Sequence, residues 1–558
     1  MKWQHKTVNR RDKVKKRNKK KTLSIALTST LVATSLFASP VLAGGTKQWN
    51  QPGSMAQVLH PGSVKAAGMS QNPLDLVDAA VEKAIAAKTT PGAVTLVARS
   101  GHIVKHQAYG YSSLYADDKF SQVENPIKMD EDTIFDLASI SKIFTTTAAM
   151  KLYEEGHFKL DDPVALHLPE FAENSKGDVT IRQLMTHTSG FTAWVPLYQQ
   201  GQNREDRIQY ALRYPLANQP GKSYTYSDLN LITLGALIEK FSGMRLDQYM
   251  EKEITKPLGM VDTMYNPPEF LKNRIAATEY QPALGRGMVW GEVHDENAWA
   301  LDGVAGHAGV FSTATDLAKF AHMLLNDGRY GSKQVLKPET VRLLEENQLP
   351  QFPGDDHGLG WELNQGWYMD ALADSEAVGH TGYTGTSIVI NRENQTIAIL
   401  LTNRVHPSRN TVSLNGLRRE FARLVADAIP APLPKKEEAW FSGYGDNLNR
   451  ELKIAVPEGA TEFSFDTWYR TEKGSDFGYV ETSADGVNWQ QVTTPITGDS
   501  ADWGTQTILL PEETSYLRFR YQTDGSVNGR GWYVGNLKVD GVELHPEIQG
   551  NSWTIRNY

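Results

Sequence analysis

Helical and hairpin patterns occur in mirror order at the two ends of one long segment of the chain. An amphipathic helix beginning at Pro73 is followed by a predicted hairpin, and a second hairpin far along the chain is followed by another amphipathic helix. The predicted strands and the second helix are Ala93–Ala98, Ile103–Tyr111, Thr386–Asn391, Thr396–Asn403 and Gly416–Ala428. Terminal helices against one antiparallel sheet, with a long helical insertion between the hairpins, predict an α+β domain over residues 73–430.

The composition changes after residue 430. Residues 431–438 are rich in Pro, Lys and Glu and predict a linker. Residues 439–558 are rich in Trp, Tyr, Phe, Thr and Gly, and segments such as Glu462–Trp468 and Tyr516–Tyr521 alternate in polarity. Recurring Asp-Gly turns separate these segments, so this part is expected to be an all-β sandwich.

The first 43 residues have the pattern of an export signal. Residues 1–21 carry eleven Lys or Arg and one Asp, and an uncharged run follows from Thr22 to Ala43. The run is nearly long enough to span a bilayer, so an uncleaved anchor is the alternative; Pro40 and the small residues at the end favour cleavage. We expect a secreted protein, in contact with the wall or free, and a Gly/Gln/Ser/Pro-rich linker at 44–72.

The net charge limits the kinds of partner that the chain is expected to bind. The formal net charge of the whole chain is −8, and the signal carries +10, which leaves about −18 for the mature chain. A chain this acidic is not expected to bind nucleic acid through a general basic surface. There is no cysteine, so disulfides, thiol chemistry and a lipid-anchored cysteine are excluded.

Ser139 and Lys142 are the first candidate catalytic pair. They are three residues apart at the start of an apolar, Thr/Ala-rich helical run, so they lie on one face about one turn apart. A lysine placed there can take the serine proton and make a nucleophile. Taken alone, such a pair reads as a helix N-cap serine beside a solvated lysine.

Two later segments add to this pair. Tyr226 and Asp228 lie on a turn just before an apolar helix, where a tyrosine can be a general base if neighbouring cations lower its pKa. His380 and Thr381, next to Gly382 and directly before an apolar strand, are candidates to hold a substrate carboxylate or oxyanion, and the glycine lets the backbone approach a ligand closely. Alone, each segment has an ordinary structural explanation.

Together, Ser-x-x-Lys, Tyr-x-Asp and His-Thr-Gly in that order resemble the penicillin-recognising serine hydrolases, in particular their class C β-lactamase-like branch. The segments at 184–191, 220–224 and 306–313 also resemble that family. The resemblance covers nearly all of residues 73–430. It implies that Ser139 is the acyl-forming nucleophile, that Lys142 takes or relays its proton, and that Tyr226 is the base or proton shuttle. It further implies an oxyanion hole built by the backbone N–H groups of Ser139 and Tyr383. No metal or organic cofactor is called for.

Two positions depart from the family pattern. Asp228 stands where the family usually has Asn, and His380 where it usually has Lys. An ionised Asp228 close to Lys142 would favour the charged lysine, so we predict that Tyr226 does most of the base work. A histidine neutral near pH 7 holds a carboxylate less firmly than lysine, which weakens the case for efficient β-lactam hydrolysis.

The segment 291–312 resembles the muropeptide-trimming amidases of this superfamily. Esterases and D-amino-acid peptidases of the same fold are close alternatives. His307 is expected to line the pocket or brace a loop, and His187 to be structural. A metal role is not predicted, because the candidate ligands are irregularly spaced. Those candidates are His294, Asp295, His307 and Asp316.

The C-terminal segment resembles the MAM-like jelly-roll domains of secreted metallopeptidases such as immune inhibitor A. The resemblance rests on Trp440–Asp446, Ser475–Trp489, Leu517–Gly525 and Gly531–Val534. Members usually have acidic residues where this chain has Gly535-Asn536, so a calcium site at that point is not predicted. Exposed aromatics able to bind sugars and aromatics packed in the core are both open.

The sequence as a whole predicts a secreted serine hydrolase that forms an acyl-enzyme with an amide or ester, and the expected substrates are peptides derived from the cell wall. Two alternatives stay open: a broad esterase or weak β-lactamase, and a non-catalytic protein that binds the wall or senses penicillin. The expected partners are small peptide, amide or ester substrates, including peptidoglycan fragments. Contact with a membrane is expected only through the N-terminal signal or anchor.

Overall fold

The structure, a computed structural model, describes residues 48–433, 438–544, 546 and 553–556. The predicted signal peptide at 1–43 lies outside the described residues, as do residues 434–437 of the predicted linker at 431–438. Of the helices in the described ranges, none combines the length and apolar character needed to cross a membrane.

An eight-stranded sheet organises the first domain. Its main strands are β1 (Gly92–Arg99), β2 (His102–Tyr115), β3 (Glu362–Leu363), β4 (Ala377–Thr381), β5 (Ser387–Asn391) and β6 (Thr396–Thr402). They lie in the antiparallel order β2, β1, β6, β5, β4, β3, and Gln122–Lys128 pairs with β2. The two predicted hairpins thus meet at the centre of the sheet. Strands β1 and β6 are buried along their whole length, because helices cover both faces.

One strand departs from the expected antiparallel sheet. His60–Pro61 pairs in parallel with the start of β2, so the sheet is mixed. This strand comes from the stretch 44–72 that composition predicted to be a linker. Trp49 in the same stretch is buried, and the guanidinium of Arg99 donates to the carbonyl oxygens of Gln48 and Gly68. Backbone groups and one buried aromatic make these contacts, so no periodic pattern of hydrophobic residues in the sequence predicts them.

The α+β prediction is confirmed by the helices. Helices α1 (Gln71–Ala86) and α5 (Asn415–Asp427) pack on one face of the sheet, as the mirror order predicted. Helices α2 (Ser141–Glu154), α3 (Asp228–Ser242) and α4 (Ala314–Leu325) share the core on the other face. Helix α2 is buried on nearly all sides over its first ten residues, which explains its lack of a polar face.

Shorter elements complete the first domain. Its other α-helices are Val64–Ala67, Val164–His167, Ile181–Met185, Arg204–Arg213, Leu246–Met250, Lys256–Leu258, Glu296–Ala300, Pro338–Glu345 and Gly366–Met369. The 3₁₀ turns are Ala138–Ile140, Pro169–Ser175, Leu197–Gln199, Glu269–Arg274, Pro282–Leu284 and Asp370–Leu372, and Glu251–Thr255 is a π-turn. Small strands are Phe135–Asp136, Met264–Tyr265, Tyr280–Gln281, Gly287–Met288, Val310–Ser312, Arg329–Tyr330 and Lys333–Gln334.

The C-terminal segment forms the predicted β-sandwich. One sheet contains Ala439–Phe441, Glu462–Arg470, Gly504–Leu509, Gly531–Val539, Val542–Glu543 and Thr554–Arg556. The other contains Asn449–Ala455, Phe477–Ser483, Gln490–Gln491 and Tyr516–Gln522. Phe463, Phe519 and Trp532 come from both sheets and pack in one core. Many of the aromatics noted in the sequence therefore lie inside the sandwich.

The sandwich contacts the first domain through a polar seam. The carboxylate of Asp427, at the end of α5, accepts a hydrogen bond of 2.7 Å from the hydroxyl of Tyr444 and pairs with Arg556. Nη2 of Arg530 donates to the carbonyl oxygen of Ile429 at 2.7 Å. These contacts tie the sandwich to the end of a helix that also borders the candidate site.

Candidate active site

Ser139 lies in a tight turn between the short strand Phe135–Asp136 and helix α2. Ala138, just before it, has φ +46°, a left-handed conformation that residues with a side chain rarely adopt. The carboxylate of Asp136 accepts a 2.8 Å hydrogen bond from the N–H of Ala138 and supports this turn. Such strain is typical of functional positions, and here it holds Ser139 where two cavities meet.

Lys142 is the closest basic group to the Ser139 hydroxyl. Its Nζ lies 2.9 Å from Oγ of Ser139, 2.8 Å from Oδ1 of Asp228 and 3.2 Å from the carbonyl oxygen of His307. Burial lowers the pKa of Lys142, but the Asp228 carboxylate and Tyr226 together outweigh burial and hold this pKa above its usual range. Lys142 is therefore an ammonium at neutral pH, as expected for a lysine beside an ionised Asp228.

Tyr226 is held by the turn that leads into α3. The ring of His187, from the Thr-His-Thr-Ser-Gly segment, accepts a 3.0 Å hydrogen bond from the N–H of Ser227 and packs 4.6 Å from the ring of Tyr226. The side chain of Tyr226 interacts with both Ser139 and Lys142. Burial raises the pKa of Tyr226, although the Lys142 ammonium acts in the opposite direction. The phenol therefore keeps its proton at neutral pH.

The end of β4 runs beside the nucleophile. A Cβ on Gly382 would lie 2.1 Å from Oγ1 of Thr386 and 2.3 Å from the carbonyl oxygen of Leu137, so the close approach here involves the protein's own atoms. Tyr383 lines both cavities together with Ser139. Its N–H donates to no backbone carbonyl in the described part of the chain, which leaves it available for an oxyanion.

His380 lies behind the cavity surface. It is 1% exposed, its Nδ1 lies 2.8 Å from the carbonyl oxygen of Thr381, and its ring is 6.1 Å from that of Tyr226. Burial, followed by the charge of Lys142, lowers the pKa of His380 to about 3. The imidazole is thus neutral. Thr381 and Gly382 line a cavity, whereas His380 is not among the residues that form its wall.

Two cavities meet at Ser139, Tyr226 and Tyr383. We call the first, of about 400 Å³, the acidic cavity, and the second, of about 560 Å³, the arginine cavity. Further residues of the acidic cavity include Trp194, Tyr198, Asp228, His294, Asp295, Glu296, His307 and Arg409. Further residues of the arginine cavity include Tyr224, Glu362, Trp367, Thr381, Arg404, Thr411, Asn415 and Arg418.

Three polar residues of the acidic cavity come close enough together for a metal ion. One ligand atom from each of Asp228, Asp295 and His307 lies within 4.8 Å of the others. Each is already paired, because Nε2 of His307 lies 2.8 Å from Asp295 and Asp228 binds Lys142. Burial alone would raise the pKa of Asp295, but His307 lowers it below the usual range. A cation bound here would have to displace Lys142 from Asp228.

The arginine cavity carries positive charge beside the end of β4. Nη2 of Arg418 donates to the carbonyl oxygens of Gly382 and Thr386, each at 2.9 Å, so this arginine also supports the strand end. Arg404 donates through Nη2 to the carbonyl oxygen of Arg409 and to Thr411. The Nε atoms of Arg404 and Arg418 are buried without a hydrogen-bond partner in the described ranges. Burial raises the pKa of Glu362, in the same cavity, to about 7.

The three motifs that the sequence placed far apart thus converge. Lys142 contacts Ser139, Tyr226 and Asp228, and Thr381, Gly382, Tyr383 and His307 border the same cavities. Sequence reasoning missed Arg404, Arg418 and Glu362. Arg418 had a weak signal, because it is a charged residue on the amphipathic helix α5. Arg404 lies in a loop and Glu362 in the two-residue strand β3, which is too short to show a period.

This combination of sheet, central helix and serine–lysine pair defines a class of hydrolases, and the sequence profile of the beta-lactamase family matches residues 77–423. The chain belongs to that family. Its curated relatives include an amidase and putative carboxypeptidases. It is 34% identical over 375 residues to the N-acetylmuramyl-L-alanine amidase of Bacillus subtilis, covering 62% of this chain and 84% of the amidase.

A second relative is the putative D-alanyl-D-alanine carboxypeptidase of Escherichia coli K12. It is 34% identical over 348 residues, covering 57% of this chain and 79% of the relative. Among solved structures, EstCE1, a hydrolase with promiscuous acyltransferase activity, matches with a TM-score of 0.50 at 23% identity. The match covers 64% of this chain and 99% of EstCE1, and at this identity it supports the fold alone. The protein is therefore a beta-lactamase-related hydrolase.

Proposed function

We propose that the protein is an exported serine hydrolase that cleaves amide bonds of cell-wall-derived peptides through an acyl-enzyme on Ser139. The observation that carries this proposal is the 2.9 Å contact between Oγ of Ser139 and Nζ of Lys142, next to Tyr226 and open to two cavities. A serine hydroxyl becomes a nucleophile when a neighbouring group can receive its proton. The names of the amidase and carboxypeptidase relatives support a wall peptide as substrate.

The proposed reaction uses Tyr226 as a proton shuttle. Oγ of Ser139 forms a bond to the substrate carbonyl carbon while its proton passes to the oxygen of Tyr226. The proton that Tyr226 held passes to the leaving nitrogen as the amide bond breaks. The ammonium of Lys142 stabilises the developing negative charge between the two oxygens, and the N–H groups of Ser139 and Tyr383 receive the oxyanion. Water then attacks the acyl carbon and passes a proton to the oxygen of Tyr226, and the proton that Tyr226 held returns to Oγ of Ser139 as the ester bond breaks.

The arginine cavity supports a substrate with a free carboxylate. Arg404 and Arg418 each have a buried Nε without a partner among the described residues, beside the end of β4. Guanidinium groups bind carboxylates through charge-assisted hydrogen bonds. We assign to Arg404 and Arg418 the role of carboxylate recognition that the sequence suggested for His380, because a neutral, buried histidine offers no positive charge.

The decisive experiment is a turnover panel with the wild-type protein and Ser139→Ala. The substrates are muropeptides, D-Ala-D-Ala peptides, short nitrophenyl esters and nitrocefin, and intact mass is measured after quenching. Cleavage of wall peptides with an acyl adduct that Ser139→Ala lacks supports the proposal. Turnover confined to esters or nitrocefin favours the esterase or weak β-lactamase. Absence of both turnover and a fluorophosphonate adduct favours a non-catalytic binding protein.

Export is tested separately, on the native producer. We expect the N-terminus of the protein in the culture medium or wall fraction to begin near Gly44. A protein that retains residues 1–43 in the membrane fraction would support the anchor instead.

A further inference from the structure

Three carboxylates of the β-sandwich lie together next to the first domain. Glu472, Asp476 and Asp524 each place one oxygen within 4.8 Å of the others. Calcium binds protein oxygens at about 2.3–2.6 Å, so ligand oxygens around one calcium ion are up to about 5 Å apart. The spacing of the three oxygens therefore fits a single calcium ion. The three residues are distinct from Gly535-Asn536, the point at which the sequence offered no acidic ligands.

The negative charge of this cluster has no directly paired cation among the residues that the structure describes. None of the three carboxylates forms an ion pair with Lys, Arg or His in the described part of the chain. Arg419 is near Glu472, but its guanidinium pairs with Asp446. A further carboxylate nearby, Asp370, adds negative charge and is paired with Arg423.

Burial makes this arrangement costly without a cation. Asp476 is fully buried, and its Oδ1 accepts a hydrogen bond of 3.1 Å from the N–H of Asp524. Oδ2 of Asp476 and Oε2 of Glu472 are buried and have no hydrogen-bond partner among the described residues. Burial, with the neighbouring acids, raises the pKa of Asp476 to about 7. Buried charges in proteins are as a rule paired or bound to a metal.

A second polar group is directed at the same place. The hydroxyl of Tyr521 is fully buried and lies near the carboxylate of Asp476. Neither this hydroxyl nor Oδ2 of Asp476 completes a hydrogen bond of acceptable geometry with a described residue. A buried hydroxyl left unpaired costs free energy, so its position next to an unpaired carboxylate oxygen indicates a ligand between or beside them.

We propose that the β-sandwich holds a calcium ion through the carboxylates of Glu472, Asp476 and Asp524. All candidate ligand atoms are oxygens, which suits a hard cation and not the nitrogen and sulfur ligands typical of zinc. Asp524 is exposed, so the ion reaches the site from solvent. The free calcium of an extracellular medium matches the affinity of about 10⁻⁴–10⁻³ M found in extracellular modules.

The loop that follows Asp524 connects the calcium site to the arginine cavity. Asp524 begins a loop in which Val527 has φ +40°, a strained conformation for a β-branched residue. Val527 packs against Gly366, where a Cβ would lie 2.8 Å from Cγ1 of Val527. The next residue, Trp367, lines the arginine cavity. A bound calcium ion thus fixes the loop that contacts the edge of the candidate active site.

The test measures thermal unfolding of the chain without its predicted signal, residues 44–558. Bound metal is first removed with a chelator, and each salt is then added separately. Wild type, Asp476→Asn and the exposed control Glu512→Gln are measured with 10 mM CaCl₂, with 10 mM MgCl₂ and with NaCl of equal ionic strength. We expect calcium to raise the Tm of wild type and of Glu512→Gln by about 3 °C or more, with no rise for Asp476→Asn. In chelator, Asp476→Asn should be at least as stable as wild type, because it removes a repelling charge.

A ligand role predicts that Asp476→Asn is less stable than wild type with calcium but at least as stable in chelator. A merely structural role predicts something else, since loss of packing would lower the Tm of Asp476→Asn both with calcium and in chelator. If Asp476→Asn does not fold, Asp524→Asn replaces it, because Asp524 is exposed and its asparagine can still accept the N–H of Ser526. Calcium titration by calorimetry on wild type should saturate at one ion. The same Tm rise with all three salts, a calcium response retained by the variants, or no heat of binding up to 10 mM overturns the site.

Discussion

Oδ1 of Asp228 lies 2.8 Å from Nζ of Lys142, in a site where Lys142 is 1% exposed. This contact decides the resting protonation state, because the carboxylate holds the pKa of Lys142 above its usual range. Tyr226 is also protonated at rest, since burial raises its pKa. Neither group is a free base when the substrate arrives. The proton of Ser139 must therefore move in a relay in which another proton leaves at the same time.

Replacing Asp228 tests this relationship directly. In Asp228→Asn the amide carries no negative charge to raise the pKa of Lys142, so the burial of the ammonium lowers this pKa. The proposed reaction needs the Lys142 ammonium, so the alkaline limb of the acylation rate, where this proton is lost, should move to lower pH by about one unit or more. Inactivation by a fluorophosphonate from pH 5 to pH 10 measures this shift. Asp161→Asn is the control, because Asp161 is an exposed carboxylate paired with Arg182 and not with Lys142. An unchanged profile for Asp228→Asn would contradict the assigned role.

The hydroxyl of Tyr226 is predicted to carry the proton to the leaving group. Tyr226→Phe keeps the ring that packs on His187 but removes the hydroxyl, so kcat/KM for an amide should fall by about 10²–10⁴-fold. Tyr224→Phe is a matched control, because Tyr224 lines the same cavity two residues away. The control should retain activity within about tenfold. Near-normal turnover by Tyr226→Phe together with an inactive Lys142→Ala would assign the base to the lysine.

Carboxylate recognition is predicted to depend on Arg404. Arg404→Gln removes the charge at the arginine cavity, so KM for a peptide with a free carboxylate should rise by about 10–100-fold. The same peptide with an amidated terminus should show little change, since it offers no anion. Steady-state kinetics on the two peptides measure the difference. Equal effects on both would mean that Arg404 acts through the structure of the cavity.

The strands around the centre of the sheet were predictable because their signals are local. Alternating or continuous apolar runs fixed β1, β5 and β6 to within one or two residues, and the amphipathic pattern fixed α5. The short parallel strand His60–Pro61 carries no such pattern, since two backbone pairs and a buried Trp49 hold its segment. Interactions made by backbone groups leave little trace in composition.

Some features of the candidate site were likewise predictable from the sequence, and others were not. Spacing on one helix turn predicted the contact of Ser139 with Lys142, and the motif order predicted the approach of Tyr226 and Asp228. The burial of His380 could not be read from the sequence, because it depends on how Tyr226, His187 and His357 pack around it. Arg404 reaches the cavity from a loop whose path is set by long-range contacts.

Gly382 tests the geometry of the oxyanion site. In Gly382→Ala the new methyl group would meet Oγ1 of Thr386 and the carbonyl oxygen of Leu137 at less than 2.5 Å, so the end of β4 must move. A displacement of about 1 Å costs about 10²-fold in rate, which we expect in kcat. Gly416→Ala in α5 is the control, because nothing lies within 4 Å of its new Cβ. Equal kcat in the two variants would show that β4 does not position the reacting atoms.

Buried neutral histidines predict a specific response of stability to acid. Burial lowers the pKa of His406 to about 4, and its ring is fixed in the neutral form because Nε2 accepts from the N–H groups of Leu114 and Tyr115. In the unfolded chain a histidine titrates near pH 6.5, so the unfolded state binds the proton first as the pH falls. His406 therefore contributes stability that is present above about pH 6.5 and is lost as the pH falls towards 4, about 2 kcal/mol by pH 5.

The whole-protein pH curve would hide this contribution. Glu362 and Asp476 have pKa values raised to about 7, so they stabilise the folded state as the pH falls and oppose the histidines. The difference between variants isolates one group. Urea unfolding at pH 7.5 and pH 5 should show a free-energy change about 2 kcal/mol smaller in His406→Gln than in wild type. The exposed control His157→Gln should keep the wild-type change. If His406→Gln also keeps it, His406 is not the group that resists protonation.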